Sequence, residues 1–425
     1  MQAVSRDSGD SSMAYQNHFG LLYFRCSVCY AVRMTAPISI YIHVPFCKKR
    51  CYYCDFNTLA GKDRYIASYF EALKLEILQV AGQLTDSEVV HSVYLGGGTP
   101  SYVDVAYILD VMSVLRENFK LTTDCEITIE ANPGTLSKEK LNSYRQAGIN
   151  RISLGVQTAD DNELQQLGRI HTFQDVVETV DLARRDGFTN ISVDLIFGLP
   201  NQTVNGWMDT LEKTVSLEIE HISVYALTIE EGTPFGSWHE KGELPIPDDD
   251  QLADEYAAAQ SWLAAQGFDQ YEISNWAKRD NQRDLRSRHN MQYWLNLPYL
   301  GFGLGAHSCF YGQRLANTTS LGQYIQSCQK PQRSPSKLFP ACVEVTTIEP
   351  YTEMQETMML GLRLIRQGVS KQVFYDRFGQ HMEDVFNHEI GALLQQGLVR
   401  WQDEDQLVLT DHGVFVGNQA FVYFV

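Results

Sequence analysis

Between residues 38 and 230, six short runs rich in Ile, Val and Tyr alternate with longer amphipathic stretches. The runs are ISIYIHVP (38–45), SVYLGGG (92–98), EITIEANP (126–133), RISLGVQ (151–157), ISVDLIFGLP (191–200) and HISVYALTIE (221–230). Each ends in Gly, Pro or polar residues, as strands do. The stretches 63–81, 101–118, 137–147, 172–187 and 203–217 have helical spacing. Ser137 is placed to cap the third of these, and Gly148 to end it. Strands separated by helices pair in parallel, because the helix carries the chain back across the sheet. The unusual residues stand at the C-terminal ends of several different strands: His43, Gly96 to Pro100, Glu130, Gln157 and Asp194. A barrel brings those ends to one face, whereas an open doubly wound sheet gathers ligand groups at one switch point. The pattern therefore predicts an α/β fold with a partial (β/α)6 barrel over residues 34–230.

After residue 230 the alternation fades. Residues 231–340 read as an α+β extension, with a helix over 251–266, a strand-like YEISNWAK, the polar insertion RDNQRDLRSRHN and a proline-rich loop at 330–340. Residues 341–425 read as three helices, a hairpin in GLVRWQDEDQLVLTDHG and a terminal helix, the order of a winged helix. Asp403, Glu404, Asp405 and Asp411 surround the wing, which favours a structural or protein-contact role over DNA. Residues 1–33 are polar and aperiodic, then briefly apolar, and fit a signal peptide poorly. They read as an extension of the reading frame with Met34 as the start, which leaves Cys26 and Cys29 without a role.

A formal charge of −18 argues against a nucleic-acid or anionic-membrane surface. No apolar run reaches transmembrane length. Nine scattered cysteines are too few for a disulfide scaffold in a chain of 425 residues, so a reducing, cytoplasmic setting is expected. Three of them, Cys47, Cys51 and Cys54, are spaced C-x3-C-x2-C directly after the first strand, and the next position where a thiol could follow is Phe56. Zinc and ordinary iron–sulfur sites use four protein ligands. Three readings stay open: zinc with His43 as the fourth ligand, three unrelated cysteines, or a 4Fe-4S cluster with one iron left for a small molecule.

The motif C-x3-C-x2-C, with an aromatic residue before its last cysteine, resembles that of radical S-adenosylmethionine (SAM) enzymes. YIHVPFC, LGGGTPS, EANPGTL, NRISLGVQT, LGRIHT, DLIFGLPNQT and RHNMQYW are similar to the oxygen-independent coproporphyrinogen III oxidase group, from about residue 38 to the C-terminus. Within the group they most resemble its heme chaperone branch. The resemblance implies a radical SAM barrel whose 4Fe-4S cluster is held by Cys47, Cys51 and Cys54, with SAM on the open iron. Tyr41, Gly97, Thr99, Glu130, Gln157, Arg169 and Asp194 match SAM-contacting positions, and Gly96 to Gly98 let a ligand approach the backbone. Thr99 and Pro100 also read as a helix start. Arg169 suits a carboxylate, whereas Glu130 and Asp194 suit ammonium or ribose hydroxyls. Ala226 and the turn Gly303 to His307 are weaker matches. His289 is the implied axial heme ligand beside Tyr293 and Trp294, although Ser287 stands where relatives often carry cysteine. Arg283, Arg286 and Arg288 read either as partners of heme propionates or as a solvated loop. The oxidase branch has a further cysteine at the position of Phe56. The implied function is therefore heme binding and delivery to heme-accepting proteins. The alternatives are anaerobic oxidative decarboxylation of coproporphyrinogen III and a zinc-stabilised binding module. A homodimer is left open.

Overall fold

The computed structural model describes residues 37–84, 88–330, 334–336 and 338–425, so Cys26, Cys29 and Met34 lie outside the described residues. All six expected strands form: β1 (Ile38–Val44), β2 (Val89–Gly97), β3 (Lys120–Ala131), β4 (Arg151–Gln157), β5 (Ile191–Phe197) and β6 (His221–Ala226). They pair in parallel in that order. Between them run α1 (Ile66–Ala81), α2 (Val105–Asn118), α3 (Lys138–Gln146), α4 (Asp161–Gln166), α5 (Phe173–Arg185) and α6 (Val204–Val215). The Ser137 side chain accepts from the Lys140 amide at the start of α3, and Gly148 follows its end at φ +81°. The short helix α4 was not anticipated from the helical spacing.

Alternation along each strand sorts the side chains. On β4, Ile152, Leu154 and Val156 are fully buried in the core, while Arg151, Ser153, Gly155 and Gln157 line an internal cavity. On β1, Ile38, Ile40, Ile42 and Val44 are at most 2% exposed, and Ser39, Tyr41 and His43 form the alternate set. Each buried aliphatic side chain contributes roughly 1.5–3 kcal/mol. The apolar face thus packs under the helices and the polar face turns into the barrel lumen.

The sheet does not stop at residue 230. After α7 (Asp249–Ala265), strands β7 (Phe268–Glu272) and β8 (Asn275–Lys278) form an antiparallel pair, and β8 adds antiparallel to β6. Following α8 (Arg288–Trp294), β9 (Tyr299–Phe302) lies parallel to β1 on the opposite edge. Strands β10 (His307–Phe310) and β11 (Gln313–Asn317), then β12 (Cys342–Thr347) beyond α9 (Leu321–Gln329), continue from β9. The whole is a 12-stranded sheet in the order β12-β11-β10-β9-β1-β2-β3-β4-β5-β6-β8-β7. One clamp fixes β9 against α1. Glu76 accepts from the Gly303 amide at 2.8 Å, Asn317 Nδ2 at 2.6 Å and Tyr324 Oη at 2.7 Å. Tyr69 Oη donates to the His43 carbonyl at 2.6 Å and accepts from the Leu304 amide at 3.2 Å.

The C-terminal module has winged-helix order: α10 (Pro350–Gly361), β13 (Val369–Ser370), α11 (Lys371–Phe378), α12 (Asn387–Gln395) and a hairpin of β14 (Val399–Gln402) with β15 (Gln406–Leu409). It docks on the end of α8. Arg377 donates to the carbonyls of Leu295 (3.2 Å) and Asn296 (2.7 Å) and to Glu353 Oε1 (2.8 Å). No described helix is long and apolar enough to cross a membrane.

Candidate cofactor site

The loop that follows β1 carries the three thiols. It is closed at its base by a short parallel pairing of Phe46–Cys47 with Leu59–Ala60, and the Leu59 amide donates to the Pro45 carbonyl. Inside the loop the Cys54 amide donates to the Cys51 carbonyl, and Arg50 Nε to the Cys54 carbonyl at 3.0 Å. Tyr52 is tied at its backbone to Leu167 and Phe235. Cys47 is buried, Cys51 and Cys54 are half-buried, and all three line one cavity of about 500 Å³ at the strand C-terminal ends. Burial pushes the Cys47 thiol up to about 11 and also raises Cys54. A metal that binds thiolate reverses such shifts, because it favours the deprotonated form.

His43 does not complete a zinc site. Its Nδ1 meets Tyr41 Oη at 3.0 Å and its Nε2 meets the Asn57 carbonyl at 2.9 Å, so both ring nitrogens are engaged. Among the described residues, no group of three or more His, Cys, Asp or Glu side chains is gathered around a single-ion position. The donor set fits a cluster whose ligands sit on separate irons, with one iron open.

The glycines after β2 form a cradle. Gly97 has φ +112°, and a Cβ there would stand 2.5 Å from the His43 ring. A Cβ on Gly98 would stand 2.6 Å from the Pro45 carbonyl group. Thr99 and Pro100 do open a single 3-10 turn, Pro100–Tyr102, with Thr99 at the cap position, but the Thr99 hydroxyl makes no capping bond. It donates to Cys47 Sγ at 3.5 Å and accepts from Asn132 Nδ2 at 3.1 Å, and α2 follows from Val105, capped by Asp104. Glu130 accepts from the Gly97 amide at 3.0 Å and from Tyr94 Oη at 2.8 Å. Burial, reinforced by the neighbouring Asp194 charge, raises its carboxyl to about 7.

Gln157, Arg169 and Asp194 line the same cavity as the thiols and Glu130, and so do Gly97, Gly98, Thr99 and Ala226. Gln157 holds φ +72° at an irregularity between β4 and β5, a strained conformation of the kind found at ligand sites. Arg169 Nη1 donates to Cys51 Sγ at 3.4 Å, and Nη2 to Asn132 Oδ1 at 2.7 Å and the Gly155 carbonyl at 2.6 Å. Asp194 accepts from Ser153 Oγ at 3.3 Å, and burial raises its carboxyl. Tyr41 stands behind this wall, stacked on Tyr94 at 6.3 Å. The Gly303 to His307 turn sits under the thiol loop, where Asn57 Nδ2 donates to the Leu304 carbonyl at 3.4 Å.

His289 lies on α8, only 2% exposed. Its Nδ1 meets Ser92 Oγ at 3.2 Å, its Nε2 meets Tyr293 Oη at 2.9 Å, and its ring stacks on Tyr94 at 5.0 Å. Burial drives its pKa down to about 3, so the imidazole is neutral. Tyr293 packs edge-on against it. Trp294 points elsewhere, with the Arg363 guanidinium 4.3 Å above its ring. The three arginines of the polar insertion each hold an aspartate: Arg283 with Asp280, Arg286 with Asp284 and Arg288, the first residue of α8, with Asp124. This supports the solvated-loop reading over free propionate partners.

Sequence reasoning missed several cavity residues, among them Tyr94, Asn132, Arg151, Ser153, Ser223 and Tyr225. The signal was present in the strand alternation: Tyr94 precedes Gly96 by two, and Ser223 and Tyr225 share one face of β6.

The radical SAM superfamily matches residues 41–214 and the HemN C-terminal domain matches residues 348–416. The chain is 37% identical over 390 residues to the heme chaperone HemW of Bacillus subtilis, covering 91% of this chain and 99% of the relative. It is 33% identical over 405 residues to the heme chaperone HemW of Escherichia coli, covering 92% and 98%. In fold it is similar to the coproporphyrinogen III oxidase HemN of Escherichia coli, a radical SAM enzyme, with TM-score 0.79 over 97% of this chain and 95% of the other at 24% identity.

Proposed function

We infer, because the chain belongs to the HemW family of radical SAM proteins, that it is a heme chaperone, binding heme and handing it to recipient proteins. Cys47, Cys51 and Cys54 hold a 4Fe-4S cluster, and the adjoining glycine edge with Glu130, Gln157, Arg169 and Asp194 holds SAM. The cluster, when bound, supplies one-electron chemistry and an iron site open to SAM. The protein's own residues shape that place. Gly97 and Gly98 keep side chains out of it, and burial keeps Glu130 near its titration point. Arg169 sets a positive charge 3.4 Å from the Cys51 sulfur.

The observation that separates a carrier from an oxidase is Phe56. It lines the cavity mouth, 64% exposed, where the oxidase branch carries a cysteine. We therefore propose that the protein has no coproporphyrinogen III oxidase activity. His289 is the heme ligand in this reading. Its neutral imidazole is the metal-binding form, and its Nε2 becomes available when the Tyr293 hydroxyl swings aside. A cytoplasmic, reducing setting accords with the seven described cysteines, none of which is in a disulfide.

The test is an anaerobic heme titration followed by absorbance, beside a coproporphyrinogen III turnover assay on the reconstituted protein. Heme binding that His289→Ala weakens, with cluster absorbance retained, is the expected result. Turnover above that of a Cys54→Ala control refutes the carrier reading. Unchanged heme affinity and spectrum in His289→Ala place the ligand elsewhere.

A further inference from the structure

At the far end of the cofactor cavity stands a charge that none of the contacts above uses. Arg151 opens β4, is 2% exposed and lines the cavity. Its Nε is buried without a hydrogen-bond partner, and among the described residues its guanidinium makes neither a hydrogen bond nor an ion pair. Thr128, paired with it across the β3–β4 register, is fully buried and its hydroxyl also lacks a partner. Two carboxylates feel the Arg151 charge, but both are otherwise employed. Glu126 accepts from the His289 amide at 3.3 Å and Asp194 from Ser153. The remaining groups that sense it, His221, His289, Tyr94 and Tyr271, carry no opposing charge: burial holds both imidazoles neutral and the phenols protonated.

An unpaired buried cation is costly, and structures tolerate one where a ligand completes it. The planar fork of a guanidinium matches a carboxylate. Glu130 and Asp194 also line the cavity, and they disfavour a doubly charged phosphate more than a singly charged carboxylate. Arg169, by contrast, is already committed to Cys51, Asn132 and the Gly155 carbonyl.

We propose that Arg151 is a carboxylate-binding residue at the inner end of the cavity, receiving the carboxylate of a ligand that enters the barrel lumen. Heme brings one through a propionate, whereas the amino-acid group of SAM belongs at the open iron beside Glu130. The inference rests on the heme reading.

The experiment measures two affinities, anaerobically, in wild-type and Arg151→Met protein: heme and heme dimethyl ester. A charge-assisted hydrogen bond lost at a buried site weakens binding about ten- to a hundred-fold. Heme is expected to bind the wild type more tightly than its uncharged ester by that factor, and Arg151→Met to bring the ratio close to one. A ratio unchanged in a variant with wild-type cluster absorbance and circular dichroism overturns the proposal. Should Arg151→Met not fold, Arg151→Lys keeps the charge without the fork and is expected to lose part of the discrimination; an unchanged ratio there overturns it equally. A wild type that binds neither heme nor its ester refutes the heme reading and the proposal with it, whereas a wild type that binds both equally refutes the proposal alone.

Discussion

Glu130 makes SAM affinity depend on pH in a direction that the structure fixes. Its carboxyl stands at about 7 against an ordinary 4.5, from burial first and the Asp194 charge second. A raised carboxyl adds nothing against folding below its unfolded value, and its contribution to stability is lost as pH rises through 7. At about 1.4 kcal/mol per pH unit, ionising it in the folded protein costs roughly 3 kcal/mol. A ligand ammonium beside the carboxylate offsets that cost, so SAM should bind the ionised form preferentially. At about pH 6 only around a tenth of Glu130 is ionised, and affinity should be about ten-fold weaker than above pH 8, where the profile flattens. Glu130→Gln should lose at least about ten-fold at pH 8 and show no such slope. Asp194→Asn removes the second cause of the shift and should move the midpoint to lower pH. Equilibrium dialysis of SAM across this range, in reconstituted anaerobic protein, provides the measurement. A flat wild-type profile, or a Glu130→Gln profile that keeps the wild-type slope, refutes the reasoning.

Two further outcomes can be checked directly. Gly97→Ala sets a methyl 2.5 Å from a His43 ring held at both nitrogens and forces φ +112° on a residue with a Cβ. A loss of about 2–4 kcal/mol in chemical denaturation is expected, with SAM binding lost. Arg377→Ala leaves the Glu353 carboxylate buried and the Leu295 and Asn296 carbonyls short of a donor. It should cost about 3–5 kcal/mol and speed amide hydrogen exchange in α8, the helix that carries His289.

The six-stranded barrel was legible because each strand announces itself locally, and the thiols, glycines and strand-end polar residues were legible for the same reason. The outer strands were not. YEISNWAK reads as one strand but forms two, β7 and β8, which turn back at Ile273 and Ser274. Pairing of β9 with β1 joins residues some 260 positions apart, which no local periodicity encodes. Arg151 escaped notice for a different reason. In RISLGVQ the polar alternate positions look like a solvated face, and only closure of the sheet turns that face into a lumen. His289 was legible as a residue, but its fully engaged ring and the divergence of Trp294 were not.

The brace under the thiol loop has a consequence for how the protein is made. Cys47, Cys51 and Cys54 leave the ribosome early, yet the groups that clamp their loop and α1 lie 227 to 248 positions beyond their partners. At about 5–20 residues per second, the loop waits roughly 10–50 seconds for Gly303, Leu304, Asn317 and Tyr324 to emerge. During that interval Cys47 and Cys54 have not acquired the burial that later suppresses their ionisation, so they are at their most reactive toward oxidants and stray metals. Cluster loading therefore belongs after chain completion, and aerobic synthesis should damage the site in the nascent chain before it harms the finished fold.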